Sequence, residues 1–413
     1  MSAVRVTAPA LLLVSGLAAG APAVPVQAAV PTCAGERATL VGTARSDKLA
    51  GTPGRDVIVG RAGDDVIQGR GGRDLICGGG DADELQGGPG DDSLRGDGDR
   101  LGSDVTGTYL VGDVLLGGPG DDRLVGGFDD RSAQARRRPD TVSWADSPRG
   151  VVVDLVAGTA TGLGVDTIPP ATRLRVQGSP YADQITGSGR PDVIAGEAGD
   201  DRISAGGGAD KVFTERATIP VGALDDADVV DAGPGPDLVS SQAGQDRLQA
   251  GEGDDFVEAY SPAPTTVMAG AGDDYVAQHL VDSSGAGTFA GTGVDRVSLY
   301  GKPLEGRAPR VEVTLDLRSG TTTANVGPAA TGRIGGYEQH RLIGNLAWVF
   351  HGRTVADRVW AITGGPLRAW TYAGNDTVTA TDRVDFVDAG PGTDVVWGRG
   401  GADTCRSAER GTC

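Results

Sequence analysis

Residues 51–95 read GTPGRDVIV GRAGDDVIQ GRGGRDLIC GGGDADELQ GGPGDDSLR, nine-residue frames laid end to end. Glycine stands first and usually fourth, aspartate sixth and a branched aliphatic eighth. The sixth positions are Asp56, Asp65, Asp74, Asp83 and Asp92; the eighth are Ile58, Ile67, Ile76, Leu85 and Leu94. A short fixed period with a turn half and a strand half is the pattern of a solenoid, in which each repeat buries its apolar side only against its neighbours. Glycine lets the turn reach positive φ. The last three residues make a minimal strand whose middle side chain points inward while its neighbours point outward. On this reading the aspartate lands in the turn, outside the core, where a hard cation would give it a role.

The frame spreads in both directions from this stretch. It starts at Gly42 (GTARSDKLA) and returns as GGPGDDRLV from Gly117. From Gly178 it runs GSPYADQIT, GSGRPDVIA, GEAGDDRIS, AGGGADKVF. AGPGPDLVS, SQAGQDRLQ and AGEGDDFVE follow from Ala232, then AGAGDDYVA from Ala269 and AGTGVDRVS from Ala290. AGPGTDVVW and GRGGADTCR close the series from Ala389. This register resembles the RTX (repeats-in-toxin, hemolysin-type) nonapeptide G-G-x-G-x-D-x-U-x. The resemblance implies an all-β chain wound as a right-handed parallel β-roll, a β-solenoid with two nonapeptides per coil and calcium between turns. It implies calcium ligation by the sixth-position carboxylates, aided by backbone carbonyls: Asp47, Asp56, Asp65, Asp74, Asp83, Asp92, Asp122, Asp183, Asp192, Asp201, Asp210, Asp237, Asp246, Asp255, Asp274, Asp394 and Asp403.

Composition agrees with such a chain. Glycine supplies 69 of 413 residues, well above ordinary usage. A net charge of −19 with only 37 basic residues argues against a nucleic-acid partner and for a cation. Arg5, the apolar run PALLLVSGLAA from Pro9 and the small-residue site Val26-Gln27-Ala28 read as a secretory signal peptide. The apolar run is too short, and too broken by Gly16, Gly20 and Pro22, for a membrane span. The expected location is therefore extracellular, by a general export route rather than the dedicated channel used by many RTX proteins.

Four cysteines follow the leader: Cys33, Cys77, Cys405 and Cys413. An even count in an exported chain favours disulfides. Of the three pairings, the short polar loop RSAERGT favours Cys405–Cys413, which leaves Cys33–Cys77 to tie the N-terminal segment to the third coil. Both would cap solenoid ends.

Two inserts interrupt the frames and resemble each other. One is DTVSWADSPRGVVVDLVAGTATG from Asp140; the other is DRVSLYGKPLEGRAPRVEVTLDLRSGTTT from Asp295, continuing into IGGYEQHRLIGN. They share D-x-V-S, a V-x-x-DL strand (Val151 to Leu155, Val313 to Leu317) and Gly-Thr-rich turning. They read as two longer coils without calcium turns, and the frames around Asp140, Asp295 and Asp376 are expected outside complete calcium shells. The resulting division is a signal peptide (1–28), a cap (29–41), a first repeat block (42–131), an insert coil (132–177), a second block (178–298), a second insert coil (299–370) and terminal repeats (371–413).

Little catalytic chemistry is legible. No H-E-x-x-H or G-x-S-x-G occurs. Paired acids such as Asp64-Asp65 fall at positions five and six of a frame, and Arg95-Gly96-Asp97 arises where two frames meet. Three functions compete. The first is a structural or adhesive calcium binder that folds outside the cell, with calcium and cell-wall or extracellular polysaccharide as partners. The second is a polysaccharide-acting β-helix enzyme using Arg310, His340, Arg341, His351 and Trp360. The third is a toxin, for which no apolar pore-forming segment is present.

Overall fold

The inward aliphatics of the frames become ladders. In the computed structural model, Ile58 pairs with Ile76, Ile76 with Leu94 and Leu94 with Leu124 along one parallel sheet. Leu49, Ile67, Leu85, Leu115, Val142 and Val176 form the facing ladder. Alternate frames thus lie on opposite sheets and residues eighteen apart stack, as the period predicts. These side chains are wholly buried or nearly so, and each buried aliphatic contributes about 1.5–3 kcal/mol.

The structure describes residues 30–98, 112–127, 139–170, 174–215, 226–261, 263–279, 287–300, 312–324, 330–344, 346–362 and 365–413, with short backbone strands at Val4–Arg5, Gly102–Asp104, Gly107–Leu110 and Arg136–Arg137. The rest of the segment read as a signal peptide lies outside them. Two compact units are present: residues 1–147 with 157–177, and residues 148–156 with 178–413. Each is a parallel β-roll, and no helix occurs among the described residues.

In the first unit, the hairpin Thr32–Cys33/Glu36–Arg37 packs on the outer face of the first coils. Cys33, Ala38 and Val41 bury Val57, Val59, Leu75 and Cys77, which point outward by alternation and would otherwise meet water. The Cys33–Cys77 disulfide, with Cα atoms 5.7 Å apart, fixes this cap. In the second unit, Ile185, Ile203, Val230, Leu248 and Val267 build one ladder. Ile194, Val212, Val239, Val257, Val276 and Val297 build the other. Cys405–Cys413 closes the last coil.

The inserts are antiparallel excursions of one design. Thr159–Thr161 pairs with Val165–Thr167, and Thr321–Ala324 pairs with Glu312–Asp316 and Ala330–Gly335. Each turns through a glycine at positive φ, Gly158 (70°) and Gly320 (64°). Each glycine carbonyl then accepts from the next inward aliphatic, Ile168 N at 2.8 Å and Ile334 N at 3.0 Å.

Candidate metal centre

The sixth-position aspartates do not sit outside the core, as the frame alone suggests. All but Asp403 are buried: Asp65 is 1% exposed, and Asp74, Asp83, Asp92 and Asp122 are 2%. Each Oδ1 accepts the backbone N–H of the equivalent aspartate one coil earlier. On one edge of the first unit Asp56 N donates to Asp74 (2.7 Å), Asp74 N to Asp92 (2.7 Å) and Asp92 N to Asp122 (2.8 Å). On the other edge the chain runs Asp47, Asp65, Asp83, Asp113 and Asp140. The carboxylates therefore form continuous files along the rims of the roll.

Half of each carboxylate is left over. Oδ2 of Asp65, Asp74, Asp83, Asp92 and Asp122 is buried with no hydrogen-bond partner. The same holds for Asp201, Asp210, Asp228, Asp237, Asp255, Asp274, Asp295, Asp376 and Asp394 in the second unit. A buried anionic oxygen without a donor is costly. Burial pushes the carboxyl pKa up to about 6 in Asp65 and Asp92, about 8 in Asp83 and Asp122, and about 9 in Asp201. The file in the first unit lines a groove of about 640 Å³ that also holds the fifth-position acids Asp91 and Asp121. A file of donorless, buried anionic oxygens fits a hard cation that takes oxygen ligands. The RTX calcium-binding nonapeptide repeat matches residues 41–76, 78–100, 112–131, 177–212, 223–257 and 370–405. The chain carries RTX calcium-binding nonapeptide repeats. No curated protein matches it.

The RTX frames fall into two classes by their second residue. In Gly42-Thr43, Gly51-Thr52, Gly187-Ser188 and Ala380-Thr381 the hydroxyl and backbone N–H of Ser or Thr both reach the Oδ2 of their own sixth-position aspartate. For Asp56 these distances are 2.8 and 2.5 Å, and for Asp192 they are 2.8 and 2.7 Å. Asp47 and Asp385 are satisfied in the same way. Ser179 binds Asp183 through N–H to Oδ2 and hydroxyl to Oδ1. In ten of the donorless frames the second residue instead adopts positive φ: Arg61, Arg70, Gly79, Gly88 and Gly118 in the first unit, and Glu197, Gly206, Gly233, Gly251 and Gly270 in the second. That turn aims no donor at the carboxylate. Gly60 and Gly69, at position one, leave the room that Oδ2 of Asp65 and Asp74 occupies, since a Cβ there would strike it.

The fifth-position acids have a separate task. Asp64, Asp91, Asp121, Asp200, Asp254 and Asp273 lie at the surface and accept backbone N–H groups from the following coil, as in Val165 N to Asp121 Oδ1 at 2.8 Å.

Several rungs lie in frames too degraded to read. Asp113, Asp166, Asp228, Asp357 and Asp385 all join files. Asp140, Asp295 and Asp376, expected outside complete calcium shells, are in register with the files: they accept from Asp113, Asp274 and Asp357 at 3.0, 2.9 and 2.8 Å. Past the second insert the file continues from Asp295 to Glu338, whereas Asp140 is followed in register by Leu174. What survives in every such frame is aspartate two residues before an inward side chain, and that D-x-U spacing was the available signal. Glutamate substitutes twice: Asp295 N donates to Glu338 and Asp394 N to Glu409. Asp403 accepts from Asp385 N at 3.0 Å, Asp237 from Asp210 N and Asp255 from Asp237 N. Asp246 accepts from Asp228 N and from the Ser241 hydroxyl.

The inserts change one edge of the second unit. Position six becomes Val151 in the first insert, whose N–H donates to Asp183 at 2.7 Å. In the second it becomes Val313, Trp348 and Leu367, in register and 1% exposed or less. The carboxylate file returns only at Asp385, which accepts from Leu367 N at 2.6 Å. On the opposite edge the acids persist, and Arg353 stands between two of them. Its Nε lies 3.2 Å from Asp357 and its Nη1 3.7 Å from Glu338, so a guanidinium takes the position between coils.

The residues considered for catalysis are scattered. His340 is an eighth-position residue, fully buried between Val297 and Val359 with neither ring nitrogen partnered. Burial lowers its pKa to about 3. His351 stacks on Trp370 and bonds the Tyr372 hydroxyl at 3.0 Å. Arg341 and Trp360 share a shallow groove with Arg296, Ile362 and Arg399, without an acid among its lining residues. Arg310 lies outside the described residues.

Proposed function

We propose that this protein is a secreted scaffold whose two repeat blocks fold around calcium outside the cell, and that the calcium ligands are the donorless frames. Those are Asp65, Asp74, Asp83, Asp92, Asp122, Asp201, Asp210, Asp237, Asp255, Asp274 and Asp394, joined by Asp228, Asp295 and Asp376. The observation that carries this reading is the row of buried Oδ2 atoms without a partner. Calcium supplies positive charge and open oxygen coordination there, while the turn residues hold successive carboxylates in file. Asp47, Asp56, Asp183, Asp192 and Asp385 act instead as self-capped coils, their second oxygens already bound by Ser or Thr. Asp246 shares its second oxygen with the Ser241 hydroxyl and so is not counted among the donorless ligands of the files.

A structural or adhesive role is favoured over catalysis because His340 is sequestered in the core and the remaining candidates do not converge on a carboxylate. The groove of about 390 Å³ formed by Arg296, Arg341, Trp360, Ile362 and Arg399 offers an aromatic face and three cations, suited to an acidic cell-wall or extracellular polysaccharide. Among the described residues no helix is long and apolar enough to cross a membrane. The test is a calcium titration of residues 29–413 followed by circular dichroism. Asp65→Asn/Asp74→Asn/Asp83→Asn should shift the midpoint to higher calcium, whereas Thr52→Val/Ser188→Ala should not. Equal midpoints for the triple variant and the parent would refute the assignment of ligands.

A further inference from the structure

The second unit gathers acids that the repeat does not explain. Glu215, Asp226, Asp228 and Asp246 each place one carboxylate oxygen within 4.8 Å of the others, and all four are buried. Only Asp228 and Asp246 are sixth-position residues. Glu215 follows the strand Lys211–Phe213, and Asp226 stands two residues before Asp228.

The protein holds these groups in place. Glu215 accepts the backbone N–H groups of Gln242 (2.9 Å) and Ala243 (3.0 Å) and the Thr214 hydroxyl (2.7 Å). Asp246 accepts from Asp228 N at 3.0 Å and from Ser241 Oγ. Gln245 N binds the Asp226 carbonyl at 2.7 Å, and Ser261 Oγ binds the carbonyl of Gly244 at 2.7 Å. Gly244, at φ 80°, brings bare backbone against the cluster, where a side chain would strike Asp226 and Asp246. The independent sign of a ligand is Asp228. It is 1% exposed, its Oδ1 is spent on Asp201 N at 2.8 Å, and its Oδ2 has no partner.

We propose that Glu215, Asp226, Asp228 and Asp246 form a four-carboxylate cage that holds one calcium ion more tightly than the repeat files do. An ordinary file offers one leftover oxygen per coil on each edge. Here two further acids converge from outside the frame. Affinity of oxygen-ligated calcium sites rises with the number of charged ligands and with rigidity, and this cluster has both. The ion would also join the two ends of the chain segment 216–225, which Glu215 and Asp226 flank.

The test is a calcium titration of the full secreted chain against a competing chromophoric chelator. The first equivalent should bind about tenfold or more tightly than the rest. Glu215→Gln/Asp226→Asn should abolish that first class and leave the later equivalents unchanged. Asp74→Asn/Asp92→Asn should do the reverse, so that failure of the cage and failure of the file assignment read differently. If the double variant does not reach the parent's circular dichroism at saturating calcium, the single Glu215→Gln decides, with at least a fivefold weakening of the first class expected. A first equivalent indistinguishable from the others in the parent, or unaltered in these variants, would overturn the proposal.

Discussion

Asp201, Asp228 and Asp246 stack along one edge of the second unit, and further along the same sheet Val313, Trp348 and Leu367 take the equivalent position. Both regions close the coil with buried side chains at the same point of the turn. The first closes it with carboxylates, of which Asp201 and Asp228 keep a buried oxygen without a donor; the second closes it with Val313, Leu367 and the indole of Trp348, which carry no charge. The roll therefore carries two kinds of coil, one closed by buried carboxylates and one closed by packed uncharged side chains. The self-capped frames of Thr43, Thr52, Ser188 and Thr381 are a third solution, in which a local hydroxyl and N–H replace the ion.

The largest expected difference between these regions is their response to pH without calcium. Burial raises the carboxyl pKa to about 6 in Asp65, about 8 in Asp83 and Asp122 and about 9 in Asp201, above the unfolded value near 3.8. The folded state then holds protons that the unfolded state releases. The associated stability is present below about pH 4 and is lost as pH climbs through about 6 to 9. In chelator, the urea midpoint of the repeat blocks should be higher at pH 5 than at pH 9, while the 312–370 coils change little. Calcium should reverse the trend, since it binds deprotonated carboxylates. A chelated array equally stable at both values would mean that the files are hydrated rather than buried.

Trp348→Ala should come next, at about 3–5 kcal/mol by removal of a large packed side chain, with the same loss in calcium and in chelator. Asp74→Asn, by contrast, should cost stability only when calcium is present. Thermal unfolding of both variants in the two buffers sharpens the comparison, and a calcium-dependent cost for Trp348→Ala would blur it.

The position of Trp348 shows where the sequence was opaque. An apolar residue at position six, inside an insert whose glycines do not keep the nine-residue spacing, looks like ordinary strand core, so the frame could be found only through its pairing. The intact frames were legible because glycine, aspartate and aliphatic recur together; Asp113 and Asp385 kept only the last two, and Asp357 kept only Gly352 at position one beside them. Burial of the aspartates was not legible either, because a turn acid is read as solvated until the next coil covers it. His340 misled for a related reason: a polar residue at an eighth position suggested chemistry, whereas the coil places it in the aliphatic ladder.

Arg353→Met tests whether the guanidinium stands in for a cation. Asp357 would keep the Arg353 backbone N–H at 2.7 Å but lose its counter-charge. A loss of about 1–3 kcal/mol is expected, part of it restored by calcium. Loss without any recovery would assign Arg353 to packing alone. The smallest effect is a gain: His340→Leu removes two buried, unpartnered nitrogens from an apolar ladder and should stabilise by about 1 kcal/mol, read as a raised Tm.

Hydrogen exchange of the chain, with calcium and with excess chelator, tests the central claim directly. The account predicts that amides of 57–98 and 193–213 lose most of their protection in chelator, while those of 312–324 and 346–362 retain theirs. Equal protection of both regions without calcium would contradict it.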